Sequence, residues 1–342
     1  MVDAETVVHT FTVITQVLML YVLFLSFYFN RKLNQTSLIH PNLKIILRNI
    51  GIIFPIINIA RFISYGWAII MDKELLPPIQ ANVICLLPRF VEEVGLGCCA
   101  TLISQITIER TIATLKRKTY ERHGVKLGWM ITGQTFMSAV LFSIAPIVYD
   151  IFIGGAFDLR KKYIGCRLDQ FHVFMYLMIF VCAFGCSVMS FVTLTLVYLY
   201  CKRQLVQMRE MKLSTRYQYT ENIESIKALL PSMLFYVITA SFGVYVTIVV
   251  YLRYWKDEEM RAHRMVVEAY IQILHVVAQL YAIATMSYFL LSFRPLRAEV
   301  YHDLHSLCPK MVIEPEDAEK RADAVRKTEN VDYFTLLSKT WQ

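Results

Sequence analysis

The 342-residue chain is 56% hydrophobic, only 18% charged, and carries a formal net charge of +8. A soluble domain has about 25% charged residues, so the composition excludes a water-soluble globular protein and makes lipid part of the solvent. The basic residues fall between apolar runs, which is a topology signal and not a nucleic-acid surface, so no nucleic-acid partner is expected.

Apolar runs of about 20 residues cross a bilayer as helices. Seven are expected: Val7–Asn30, Leu43–Met71, Asn82–Ile108, Leu127–Tyr149, Phe171–Tyr200, Ile226–Leu252 and Met265–Phe293. The first has acidic residues, Asp3 and Glu5, ahead of it and no Lys or Arg. It therefore reads as a true span and not a cleavable signal. The chain divides into a seven-helix domain over 1–293 and a polar cytoplasmic tail over 294–342. With the N-terminus outside, 23 Lys and Arg fall on the cytoplasmic side and 9 on the outer side. The positive-inside rule thus sets the N-terminus out and the C-terminus in. The fold class is an all-α membrane protein, a seven-transmembrane bundle. A short amphipathic eighth helix is expected after it, because Leu296, Val300, Leu304 and Leu307 repeat at helical spacing.

The third span is unusual. Its stretch "CLLPRFVEEVGLGCC" places Arg89, Glu92 and Glu93 within five residues. Glu93 precedes Arg110 by 17 residues, about 25 Å of helix, so these charges lie at the outer boundary of the membrane. Arg89 is three and four residues before the two glutamates, within reach of both. On the second span Asn58, Arg61 and Tyr65 share a face, and on the seventh Glu268, Gln272, His275 and Gln279 form one stripe. Helices two, three and seven are therefore expected to line an outer cavity. There Glu92 or Glu93 would meet a cationic or hydrogen-bonding ligand, with His275 tuning it with pH. A structural polar network and interfacial exposure are the alternatives.

The eight cysteines show no metal spacing, and neither a metal nor a cofactor is expected. On this topology Cys85 and Cys166 lie outside, where a disulfide can form; two unpaired thiols are the alternative. Cys98, Cys99, Cys182 and Cys186 read as small packing residues. Cys201 and Cys308 lie near the inner face and either is a palmitoylation candidate, with Cys308 placed after the amphipathic segment.

The third span ends with Glu109–Arg110, 25 residues after Cys85. This acid-arginine pair resembles the helix-three pattern of rhodopsin-like receptors, where the arginine serves in the activation switch and G-protein contact. The pieces "IERTIAT", "TYE" (Thr119–Glu121) and "LSTRYQYTENIESIK" (Leu213–Lys227) resemble the nematode Sra-superfamily serpentine chemoreceptors. The alpha-beta class is favoured, with the epsilon and beta classes as runners-up. That resemblance implies a plasma-membrane chemosensory receptor in sensory cilia. Its partners would be a small-molecule cue and a heterotrimeric G protein, contacted through Glu109, Arg110, Arg216, Tyr217, Glu221 and Asn222. The seventh span ends "MSYFLLSFRPL" without an asparagine-proline-x-x-tyrosine motif, a departure from the rhodopsin-like pattern. A transporter or a ligand-gated channel is the alternative. A membrane enzyme would want H-E-x-x-H or G-x-S-x-G, and neither occurs.

Overall fold

Lipid offers no partner for a backbone N–H or C=O, so long apolar runs fold as helices that satisfy those groups internally. The computed structural model describes residues 4–36, 39–71, 76–116, 120, 124–153, 160, 173–207, 213–253 and 264–307. Among them the secondary structure is helical throughout: α1 Ala4–Gln35, α2 Pro41–Met71, α3 Pro78–Leu115, α4 Lys126–Val148, α5 Val173–Gln207, α6 Leu213–Arg253, α7 Arg264–Ser292 and α8 Arg294–Leu307. α2 and α3 each begin at a proline, where the missing N–H costs no helical bond. Pro146 sits near the end of α4, which runs into a π-helical turn over Tyr149–Ile153. The turn before α4 carries Gly124 at φ +54°, a left-handed conformation open to glycine because it has no Cβ to clash.

Among the described residues six helices are long and apolar enough to cross a membrane: α1, α2, α4, α5, α6 and α7. α3 is set apart from these by the charges it carries, Arg89, Glu92, Glu93, Glu109 and Arg110. Yet residues 94–108 between its charges hold no Asp, Glu, Lys or Arg. At 38 residues it rises about 57 Å, past both edges of a hydrocarbon core about 30 Å thick. It packs against α2, α4, α5 and α6, so its polar side chains face protein. α6 is also longer than its apolar run: helix starts at Leu213, so the charged stretch before Ile226 is a continuous extension of it.

Burial is inverted relative to a soluble bundle. On α1, Val17, Leu20, Phe24 and Phe27 are exposed, whereas Thr15 and Ser26 are fully buried. An outward apolar face and an inward polar one suit lipid outside and protein inside. Close helix approach uses small residues. The Asn30 amide donates to the Gly51 carbonyl at 2.7 Å, and the Gly128 N–H donates to Asn42 Oδ1 at 2.9 Å. Alternation is visible in the pairings. Asn42 lies by Gly128 and Asn49 by Thr132, so α2 and α4 run parallel. Asn58 lies by Gln279 and Tyr65 by Gln272, so α2 and α7 run antiparallel.

Residues up to Phe289 make one compact unit and those from Leu290 a second. In the second, Leu296 and Val300 of α8 are buried and Leu304 is exposed. Cys308 lies outside the described residues.

A Cβ on Gly128 would meet the Asn42 carbonyl oxygen at 3.0 Å and its Cα at 3.1 Å, both backbone, while one on Gly133 would meet nothing within 4 Å. Gly128→Val is therefore expected to destabilise the bundle by roughly 1–3 kcal/mol through overpacking of α2 on α4. Gly133→Val on the same helix should be near neutral, and thermal unfolding of the detergent-solubilised protein compares the two.

Candidate functional site

Two buried polar networks occupy opposite ends of α3. At the Glu92 end, Arg61 of α2 reaches across to α3 and pairs with Glu92 through both Nε and Nη2. Arg89 donates from Nε to Glu93 Oε1 at 2.8 Å, one helical turn along. Glu92 and Glu93 point about 100° apart on a helix, and the structure gives each its own arginine. α7 supplies the other wall. Gln279 exchanges two amide hydrogen bonds with Asn58, at 2.8 and 3.2 Å. Gln272 contacts the Tyr65 hydroxyl at 3.1 Å and donates to Glu268 Oε1 at 3.0 Å. These two rungs are seven residues apart on each helix, and between them lie Arg61 on α2 and His275 on α7.

At the Arg110 end the pair is within α3. Arg110 grips the Glu109 carboxylate through Nε and Nη2, at 2.5 and 2.6 Å, with both side chains almost wholly buried. The remaining arm, Nη1, donates to Asn222 Oδ1 of α6 at 3.1 Å. Asn222 Nδ2 in turn donates to Thr114 Oγ1 at 3.2 Å, and Thr114 meets Cys201 Sγ of α5 at 3.7 Å. The Tyr120 hydroxyl donates to Glu109 and sits 3.0 Å from His40 Nδ1. Glu109 accepts only, so the tyrosine proton goes to it. His40 Nδ1 also lies 3.3 Å from the Asn42 backbone N–H, from which it accepts. The two rings are tilted by 34°, with centroids 4.4 Å apart. Burial, and then the nearby Arg110 charge, hold His40 down from its ordinary 6.5 to about 4, against an opposing pull from Glu109. Burial beside the Glu109 carboxylate raises the Tyr120 hydroxyl, so it stays a donor.

Between the networks α3 is locked to α5. Ser104 and Ser190 hydroxyls meet at 2.9 Å, Thr107 donates to the Ser190 carbonyl at 3.2 Å, and Ser187 donates to the Ala100 carbonyl at 3.4 Å. A void of about 10 Å³, lined by Leu47, Ile103, Leu229, Met233, Tyr281 and Thr285 among others, has at most the room of one water.

A family model described as serpentine type 7TM GPCR receptor class ab chemoreceptor matches residues 2–311. The chain belongs to this family. It is thus a multi-pass seven-transmembrane receptor of the G-protein-coupled, chemosensory kind, as the resemblance to nematode serpentine receptors implies, and not an enzyme. α3 counts as one of the seven spans despite its charges. No individual curated protein matches the receptor.

The expected site residues separate into these two groups. Arg61, Arg89, Glu92, Glu93, Glu268, Gln272, His275 and Gln279 gather on α2, α3 and α7, and Glu109, Arg110 and Asn222 gather at the other end. Arg216, Tyr217 and Glu221 lie on the same α6 extension as Asn222, and their side chains are outside the described set. Cys85 is disulfide-bonded, and Cys166 lies outside the described residues. Cys201 is fully buried against Thr114, which leaves its thiol no exposure for acylation. Cys182 and Cys186 are exposed on α5, outside the helix packing expected of them. Sequence reading missed His40, Thr114 and Tyr120. Tyr120 was visible only as part of "TYE", and His40 only as the residue before a helix-starting proline.

Glu109→Gln should cost roughly 3–5 kcal/mol of stability, because it leaves Arg110 charged and buried without its carboxylate. Glu109→Gln with Arg110→Gln should cost less, as read by thermal unfolding in detergent. Separately, the fold holds His40 neutral and depresses its pKa. The unfolded chain therefore takes up the proton first as pH falls, and stability drops between about pH 6.5 and 4. His40→Gln should show a shallower fall of the unfolding midpoint over that window.

Proposed function

We propose that the receptor binds an external small molecule at the Glu92 end and activates a heterotrimeric G protein at the Arg110 end. It sits in the plasma membrane of sensory cilia with its N-terminus outside and its C-terminus in the cytoplasm. A Cys85–Cys166 disulfide anchors the outer end of α3, and the alpha-beta class is the fitting one within the superfamily. One observation carries this reading: a single rod, α3, bears a buried polar network at each end and a packed, uncharged middle. Buried polar groups are costly in lipid and mark functional positions. Positive residues concentrate at the Arg110 end of the helices, which favours that end as cytoplasmic. Ligand binding that favours one helix arrangement shifts the population toward it.

The test uses cells expressing tagged receptor with a second-messenger readout and a panel of volatile and soluble metabolites. Arg61→Gln and His275→Ala should raise the half-maximal concentration of an active metabolite about tenfold or more, with surface expression held equal. Arg110→Ala should abolish the response while ligand binding survives. An unchanged dose response in Arg61→Gln and His275→Ala would remove the ligand assignment from this end.

A further inference from the structure

Side-chain amides in this bundle follow a habit that one residue breaks. Asn30, Asn49, Asn58, Gln272 and Gln279 each spend an amide on a neighbouring helix. Gln134 of α4 does not. Its side chain is exposed, and it meets no hydrogen-bond partner among the described residues. It also lies deep. Lys126 opens α4 eight residues earlier, and no Asp, Glu, Lys or Arg follows until Asp150. Eight residues rise about 12 Å, close to the middle of a hydrocarbon core about 30 Å thick. At that depth a glutamine is too short to reach the headgroups, and acyl chains offer it neither donor nor acceptor.

The residues around Gln134 form a seam. Met130, Gln134, Met137, Leu141, Ile144 and Val148 are all exposed, at steps of four, three, four, three and four. That is the 3.5-residue spacing with which two helices pack along their length in a left-handed coil. From Met130 to Val148 the line rises about 27 Å, most of a bilayer core. It runs down the middle of the exposed face of α4, opposite the buried Gly128, Ala139 and Ser143. A single polar group on such a seam fixes the register of the two helices. The chemistry of Gln134 selects the occupant. An amide both donates and accepts, so a second amide at the same depth satisfies it fully. Two receptors inserted in the same sense are related by an axis along the membrane normal, and each α4 residue then meets its own counterpart at equal depth. We propose that the receptor forms a homodimer through α4, packed seam to seam, with Gln134 donating to and accepting from the partner's Gln134.

The test reconstitutes full-length receptor, labelled with donor or acceptor dye, in lipid vesicles. Energy transfer above that of random proximity is followed as the protein-to-lipid ratio rises. The wild type should associate. Gln134→Met keeps the volume and removes the amide, and should move the midpoint about tenfold toward higher ratio. Gln134→Asn, which keeps an amide, should stay close to the wild type. Met137→Trp on the seam should weaken association, and Phe136→Trp off it should not. Thermal unfolding of each variant at low ratio should match the wild type, because these side chains face out of the bundle. Register has its own check. Oxidation in membranes should link Leu141→Cys receptors into disulfide dimers above the level set by the native thiols, and should not link Phe142→Cys receptors. A wild type that stays monomeric at every ratio leaves this face to lipid and overturns the proposal. Association left unchanged by Gln134→Met, or cross-linking through Phe142→Cys in place of Leu141→Cys, puts the interface elsewhere and overturns it as well.

Discussion

A charged side chain facing hydrocarbon has no solvent to turn to, so the groups that the charges on α3 leave unmet along their own helix dictate which helix stands beside it. Arg61 holds α2 against α3 because Glu92 must be met. Asn222 holds α6 there because the third arm of Arg110 must be met. The α1–α2 connection is tied in through His40 because Tyr120 closes over Glu109. The apolar side chains then pack into what these pairings leave, as the void of about 10 Å³ among Leu47, Ile103 and Tyr281 shows for that one place. Dispersion and helix propensity would be served by many arrangements of apolar helices, but few would pair every one of these groups.

Much of this was legible in the sequence, and the limits have physical causes. Span number and fold class follow from run length against bilayer thickness, which is a one-dimensional measurement. The polar faces on α2 and α7 follow from helical spacing, and both stripes do face protein. Partner choice was not legible. Arg89 has both glutamates within a turn, and whether it takes Glu92 or Glu93 depends on where Arg61 of another helix reaches. His40 and Tyr120 are 80 residues apart, and neither lies in a periodic run, so no local pattern joins them. Cys182 and Cys186 misled because small residues mark helix contacts only on the face that meets a helix, and the uniformly apolar run of α5 does not reveal its face. The α6 extension was visible as a charged segment, but its continuity with the span is a matter of the helix continuing unbroken past Ile226.

The two networks differ in a way that bears on which joint of the bundle opens at lower cost. At the Glu92 end the ion pair spans two helices, so separating α2 from α3 parts buried charges, a change worth roughly 3–5 kcal/mol. At the Arg110 end both charges belong to α3, and among the described residues they are linked to α6 through the neutral Asn222 amide. Withdrawing α6 breaks a hydrogen bond from a charged donor, about 1.5–3 kcal/mol, and the neutral Asn222–Thr114 bond, about 0.5–1.5 kcal/mol, and leaves the ion pair whole. Water entering the gap would satisfy both the freed Arg110 arm and the freed Asn222 amide, which lowers that cost further. α2 and α3 are thus bound as a frame, and α6 is held to it by a contact that a ligand's differential binding energy can match. A switch needs one rigid joint and one that yields within a few kcal/mol. The placement of both charges of the Glu109–Arg110 pair on one helix supplies the yielding joint without ever exposing an unpaired charge.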